Sequence, residues 1–135
     1  MLETGAPHDF SLITHVVHLA DDLGIQVCPA DDAFWEDRDR PELAAGRLLS
    51  VFGYDRTWDF QELHPTGDEL VCVLEGEVDL LLDRGQGERA QRLIRGCAGI
   101  VPAGSWHRIR VRASATLLFV TPVPALTEHR ACHAG

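Results

Sequence analysis

From Arg47 to Pro124 the chain is a succession of short β-type runs, each closed by turn residues. The runs are RLLSVFGYD, TWDFQELH, ELVCVLEG, EVDLLLD, RAQRLI, HRIRVRA and TLLFVTPVP, with turns at Pro65-Thr66-Gly67-Asp68, Arg84-Gly85-Gln86-Gly87 and around Gly96 to Gly104. Together with two runs nearer the N-terminus this gives about eight to ten strands at regular spacing, a pattern that predicts an antiparallel sandwich or barrel. Side chains alternate across a strand. In TWDFQELH, Trp58, Phe60, Glu62 and His64 therefore share one face, with Asp59, Gln61 and Leu63 on the other. In HRIRVRA, His107, Ile109 and Val111 share a face, and Arg108, Arg110 and Arg112 form the opposite stripe, expected to be solvated and to meet acids on a neighbouring strand.

The N-terminal part is more mixed. Leu12 to Ala20 reads as a strand closed by Asp21, Asp22 and Gly24, and IQVCP as a second, ended by Pro29. His15 and His18 fall on opposite faces of the first and are expected at an edge or the surface. Asp31 or Asp32 caps a short helix through AFWED, with Phe34 and Trp35 packing it onto the barrel. RDRPELAAG, Arg38 to Gly46, is expected as a turn with one more helical turn. The tail LTEHRACHAG is polar and is expected to wrap or fray.

The faces point to chemistry. Glu62 and His64 lie on a face otherwise built of Trp and Phe. An antiparallel pairing of that strand with the next puts Glu69 beside His64 and turns Glu69, Val71 and Val73 inward. His107 looks into the same apolar interior. Burying an unpaired charge costs several kcal/mol, and one metal ion relieves that cost for all four residues together.

The two segments resemble the paired motifs of the cupin family. The first motif is, in outline, His-x-His, three or four residues, Glu, six residues, Gly; this chain has Glu62-x-His64, four residues, Glu69, six residues, Gly76. The second is Gly, five residues, Pro-x-Gly, two residues, His, three residues, Asn; this chain has Gly96, five residues, Pro102-x-Gly104, two residues, His107, three residues, Val111. Glu62 replaces the first histidine and Val111 the asparagine. The resemblance covers Arg47 to Pro122 and implies an all-β antiparallel double-stranded β-helix, or jelly-roll barrel, with a short N-terminal strand-helix extension. It implies a single cupin domain over 1–135, with the core barrel at about 47–122, the extension at 1–46 and the tail at 125–135. It further implies one divalent metal per chain on Glu62, His64, Glu69 and His107. Two carboxylates make this a hard set, suited to Zn, Fe, Mn or Ni. Trp58, Phe60, Val71, Val73, Trp106 and Ile109 are expected to line the pocket, with Tyr54 in the same interior. Gly76, Gly96 and Gly104 have a structural reason of their own, since turns there need positive φ or close backbone approach.

The family contains dioxygenases acting on small molecules and sugar-phosphate isomerases. The resemblance thus implies a metalloenzyme of dioxygenase or isomerase type on a small organic substrate, with Glu62 or Glu69 as the base. The alternative is a non-catalytic small-ligand-binding or sensor barrel. The net charge of −9 argues against nucleic acid and anionic membranes. All 12 basic residues are Arg, which excludes Schiff-base lysine chemistry and a Walker-type lysine. Cys28, Cys72, Cys97 and Cys132 form no C-x-x-C pair and read as reduced thiols, Cys72 as a small core residue. With no basic start followed by an apolar block, a cytoplasmic location is expected. The outward apolar residues Leu70, Cys72 and Leu74 need a cover, and a homodimer supplies one.

Overall fold

The structure, a computed structural model, describes residues 9–37, 40, 44–123 and 127–132. The expected turn over Arg38 to Gly46 falls largely outside the described residues. The elements run β1 (His15–Leu19), β2 (Ile25–Pro29), α1 (Asp32–Glu36), β3 (Arg47–Tyr54), β4 (Phe60–Leu63), β5 (Glu69–Asp83), β6 (Glu88–Ile94), β7 (Ala98–Val101), β8 (Trp106–Pro122) and β9 (Glu128–Ala131). Every strand pairing is antiparallel. The fold is the antiparallel jelly-roll barrel expected of the sequence, with its sheet curled but not closed. No helix among the described residues is long and apolar enough to cross a membrane.

Two long strands organise the barrel. ELVCVLEG and EVDLLLD, read as separate runs, form one strand, β5; HRIRVRA and TLLFVTPVP likewise merge into β8. The first half of β5 pairs with β7 and the end of β8, and the second half with β6 and the start of β8. Between the halves the register slips around Glu75 and Glu77. Gly76 sits at that irregularity with φ +87°, and a Cβ there would collide with the Ser114 carbonyl oxygen, so only glycine fits. The slip changes the parity of β5. Val71 and Val73 point inward before it, and Val78 and Leu80 after it, all 0% exposed. The main core is built from these residues with Trp58, Leu93, Val101, Ile109, Ala115, Leu117 and Phe119.

β1 and β2 extend the sheet beyond β3. A second, smaller core of Val16, Cys28, Phe34 and Leu48 fixes α1 against them. The Asp31 carboxylate accepts the Phe34 backbone N–H at 2.8 Å and caps the helix, whose Phe34 is buried. Trp35 is 39% exposed and packs its ring toward Phe52.

Three expectations change, and one open alternative is resolved. β4 does not pair with β5; it lies between β8 and β9, pairing Glu62 with His107 on one side and His129 on the other. Of the two outcomes expected for the tail, its described part wraps: Glu128–Ala131 forms β9, docked on β4. His18 is buried, because its Nε2 is hydrogen-bonded to the Ala45 carbonyl at 2.6 Å, a partner from a distant loop; His15 is half-buried with Nδ1 against the Thr14 hydroxyl. Cys72 faces outward and is half-buried, and the fully buried cysteine is Cys28.

Candidate metal centre

β4 supplies Glu62 and, just past its end, His64; β5 begins with Glu69; β8 supplies His107. A straight strand would put positions 107 and 121 of β8 roughly 45 Å apart. Both nevertheless sit at Glu69: His107 Nε2 lies 3.0 Å from Oε1, and the Thr121 hydroxyl donates to Oε2 at 2.7 Å. β8 therefore coils around the site, and Glu69 reaches the histidines across the barrel interior and not along a hairpin.

His64 Nε2 is 3.2 Å from Glu69 Oε2. Glu62 Oε2 stands 3.9 Å from His64 Nε2 and 3.8 Å from His107 Nε2. Ligand atoms of Glu62, His64 and His107 all lie within 4.8 Å of one another. His64, Glu69 and His107 are 2%, 3% and 0% exposed, where an unsatisfied polar atom is expensive. Yet His64 Nε2, His107 Nε2 and Glu69 Oε1 have no hydrogen-bond partner among the described residues. The approaches are short without meeting hydrogen-bond geometry. Metal–ligand bonds of about 2.0–2.2 Å meeting near right angles put donor atoms about 3 Å apart, the spacing found between Glu69 and the two imidazoles. Donor types, burial and spacing all fit a divalent ion.

The surroundings orient the donors. His64 Nδ1 meets the Thr127 hydroxyl at 3.1 Å, leaving Nε2 aimed inward. His129 Nε2 meets Glu62 Oε1 at 3.1 Å, leaving Oε2 toward the histidines. Such outer contacts fix ligand rotamers. Burial alone would raise the Glu69 carboxyl, but the adjacent His107 and His64 outweigh it and hold it near 2. Burial opposes protonation of His64, and the neighbouring Glu69 and Glu62 charges overcome this and raise its pKa. Tyr54 is pushed well above the usual phenol range by burial first, then by the Glu62 and Glu69 charges.

The site forms the floor of a cavity of about 360 Å³. Its walls come from α1 (Phe34, Trp35), the inward face of β3 (Leu48, Ser50, Phe52, Tyr54), Trp58, and the end of β8 (Phe119, Thr121, Pro122), with Val123, Thr127 and His129 beside them. Glu62, His64 and Glu69 line it, whereas His107 lies behind them. Of the residues expected to line a pocket, Trp58 does so. Phe60 stacks behind Trp58 at 4.8 Å between ring centroids. Val71, Val73 and Ile109 are in the core, and Trp106 faces away from the cavity, with the Arg130 guanidinium 4.2 Å above its ring.

Thr121, Thr127, His129 and the α1 wall were not identified from sequence. Thr121 had a signal, since it continues the inward face of Leu117 and Phe119. Thr127 and His129 had none, because nothing local announces that β9 docks on β4.

No family model and no curated protein matches the chain. Several solved structures are similar over a little over half of it. A cupin-superfamily protein from Desulfitobacterium hafniense is 23% identical, with a TM-score of 0.48 over 57% of this chain and 67% of its own. Hydroquinone 1,2-dioxygenase from a Sphingomonas species, with 4-hydroxybenzoate bound, is 16% identical, with a TM-score of 0.49 over 56% of this chain and 59% of its own. Hydroxypropylphosphonic acid epoxidase from S. wedmorenis is 20% identical, with a TM-score of 0.47 over 56% of this chain and 42% of its own. The match thus spans less than half the length of the epoxidase.

Proposed function

We propose that the chain is a metal-binding small cupin barrel that holds one divalent ion on Glu62, His64, Glu69 and His107 and acts on a small organic molecule in the adjoining cavity. One observation carries this reading: the buried Nε2 atoms of His64 and His107, without hydrogen-bond partners among the described residues, both approach the Glu69 carboxylate, His64 at Oε2 and His107 at Oε1. When bound, the ion supplies Lewis acidity and a place for a substrate oxygen. Thr121 and Thr127 hold Glu69 and His64 in place, and His129 steadies Glu62. Glu62 is the better candidate base of the two carboxylates, because it borders the cavity and is 21% exposed at its side chain, against 3% for Glu69.

The chemistry is of oxidoreductase or isomerase type. A panel of small organic substrates, followed by dioxygen uptake and by product analysis of the metal-loaded protein, tests it. Turnover that disappears in a His64→Ala, His107→Ala double variant is the expected result. Saturable ligand binding with no turnover across the panel would contradict the enzymatic reading and favour a sensor or storage barrel.

We further propose a homodimer acting in the cytoplasm. The outer faces of β3, β8, β5 and β7 align Leu49 and Val51, Val120 and Leu118, Leu70 and Cys72, and Ile100 and Ala98 by strand register. Leu70, Leu74 and Ile100 on this face are 38%, 39% and 57% exposed, a patch that a second copy would cover. Sedimentation of the wild type at micromolar concentration should give a dimer, and Ile100→Glu a monomer; a wild-type monomer throughout would remove the claim. The four free cysteines suit a reducing compartment.

A further inference from the structure

We propose that the cavity selects an uncharged aromatic molecule, held ring-to-ring along one wall with its polar end at the floor. This deepens the reading above and rests on it for the nature of the floor. The wall is a continuous series of aromatic rings. Phe34 and Trp35 have centroids 5.0 Å apart, Trp35 and Phe52 5.8 Å, Phe52 and Tyr54 6.4 Å, and Tyr54 and Trp58 5.6 Å. Phe119 closes it, 6.2 Å from Trp58 and 6.3 Å from Tyr54. These are separations at which aromatic rings attract in tilted and edge-on arrangements. The series begins at the mouth, where Trp35 and Phe52 are 39% and 38% exposed, and ends where Trp58 lies 6.0 Å from the His107 ring. A cavity of about 360 Å³ has room for one substituted ring.

Charge narrows the class. The chain has no Lys, and no Arg is among the described residues that line the cavity. Arg40 stands 4.8 Å over the Phe34 ring without lining the cavity. Among the described residues, the acidic ones lining the cavity are Glu62 and Glu69. Unloaded, the two carboxylates repel an anion; loaded with a divalent ion they are balanced, and an anion could be held only through the ion itself. An ammonium compound gains only ring faces against a balanced floor. A neutral phenol matches the wall and brings an oxygen to the floor.

Calorimetric titration tests this with 4-ethylphenol, 4-ethylbenzoate, 4-ethylcyclohexanol and 4-ethylbenzylammonium, on metal-stripped and metal-loaded protein at pH 7. The phenol should bind the stripped form at least about tenfold more tightly than the benzoate, both forms at least about tenfold more tightly than the cyclohexanol, and the loaded form more tightly than the ammonium. Trp35→Ala, a half-exposed position whose loss the fold should tolerate, should weaken the phenol several-fold and the cyclohexanol much less. Equal affinity of the stripped form for the benzoate, equal affinity of either form for the cyclohexanol, or preference of the loaded form for the ammonium, overturns the proposal. Metal content measured on the same samples keeps the two readings apart: phenol selectivity in a protein that takes up no metal would sink the metal site and leave the aromatic cavity standing.

Discussion

Glu69 and Asp79 lie on the same strand, β5, and are 3% and 1% exposed. Because of the slip at Gly76 one faces the barrel interior and the other the outer arginine stripe. Asp79 Oδ2 accepts from Arg110 Nε at 2.8 Å and from Arg112 Nε at 2.7 Å, with Arg92 3.8 Å from Oδ1. Every approach comes from a permanently charged donor that also reaches solvent, and the arginines lower the Asp79 pKa against the effect of its burial. Glu69 has two histidines within 3.2 Å and, among the described residues, an oxygen without a hydrogen-bond partner. A carboxylate completed by the protein has a structural task. A carboxylate left with spare acceptor capacity, beside two imidazoles with spare nitrogens, is the arrangement on which the proposed metal site rests.

Substitutions at the two positions sharpen the contrast. Glu69→Gln should weaken metal binding by about 100-fold or more while the fold persists, measured by competition with a chelating indicator. Asp79→Ala should leave metal affinity unchanged and cost about 2 kcal/mol in a urea titration. If Asp79→Ala lost metal and Glu69→Gln did not, the two roles would be reversed. His129→Ala frees Glu62 from its outer contact, and a loss of metal affinity of about tenfold is expected from the same competition assay.

The smallest effect concerns pH in the metal-free protein. The Glu69 pKa falls from an ordinary 4.5 to about 2 on folding. Its contribution is therefore fully present above 4.5 and is lost as pH falls toward 2. The His64 pKa rises on folding, so its contribution is present below 6.5 and is lost as pH rises through the folded value. Urea midpoints of stripped protein should accordingly be highest between about pH 4.5 and 6.5 for this pair, and Glu69→Gln should flatten the acid limb. A stripped protein whose midpoint climbs steadily from pH 5 to 8 would speak against the pairing.

Much of the barrel was legible because strand parity is local. The alternation in TWDFQELH is enough to put Glu62 and His64 on one face, and that in HRIRVRA separates His107 from the arginines. Parity says nothing about partners. That β4 pairs with β8 and β9 and not with β5 depends on how β8 coils, and no local signal records it. β9 was invisible for a related reason: EHRA is exposed at all four positions, so it has no apolar alternation to read. His18 was misplaced because a histidine looks polar until a distant carbonyl, here that of Ala45, satisfies it. Tyr54 and Trp58 were placed in the interior by parity, but the α1 part of the cavity wall was missed because it faces the site only once the extension folds over the barrel.

The most direct measurement is the metal stoichiometry of untagged protein by mass spectrometry, after exposure to Mn, Fe, Ni and Zn, beside the His64→Ala, His107→Ala double variant. About one ion per chain is expected in the wild type and none retained by the variant. A wild type that takes up no metal, or a double variant that keeps it, would contradict the central claim.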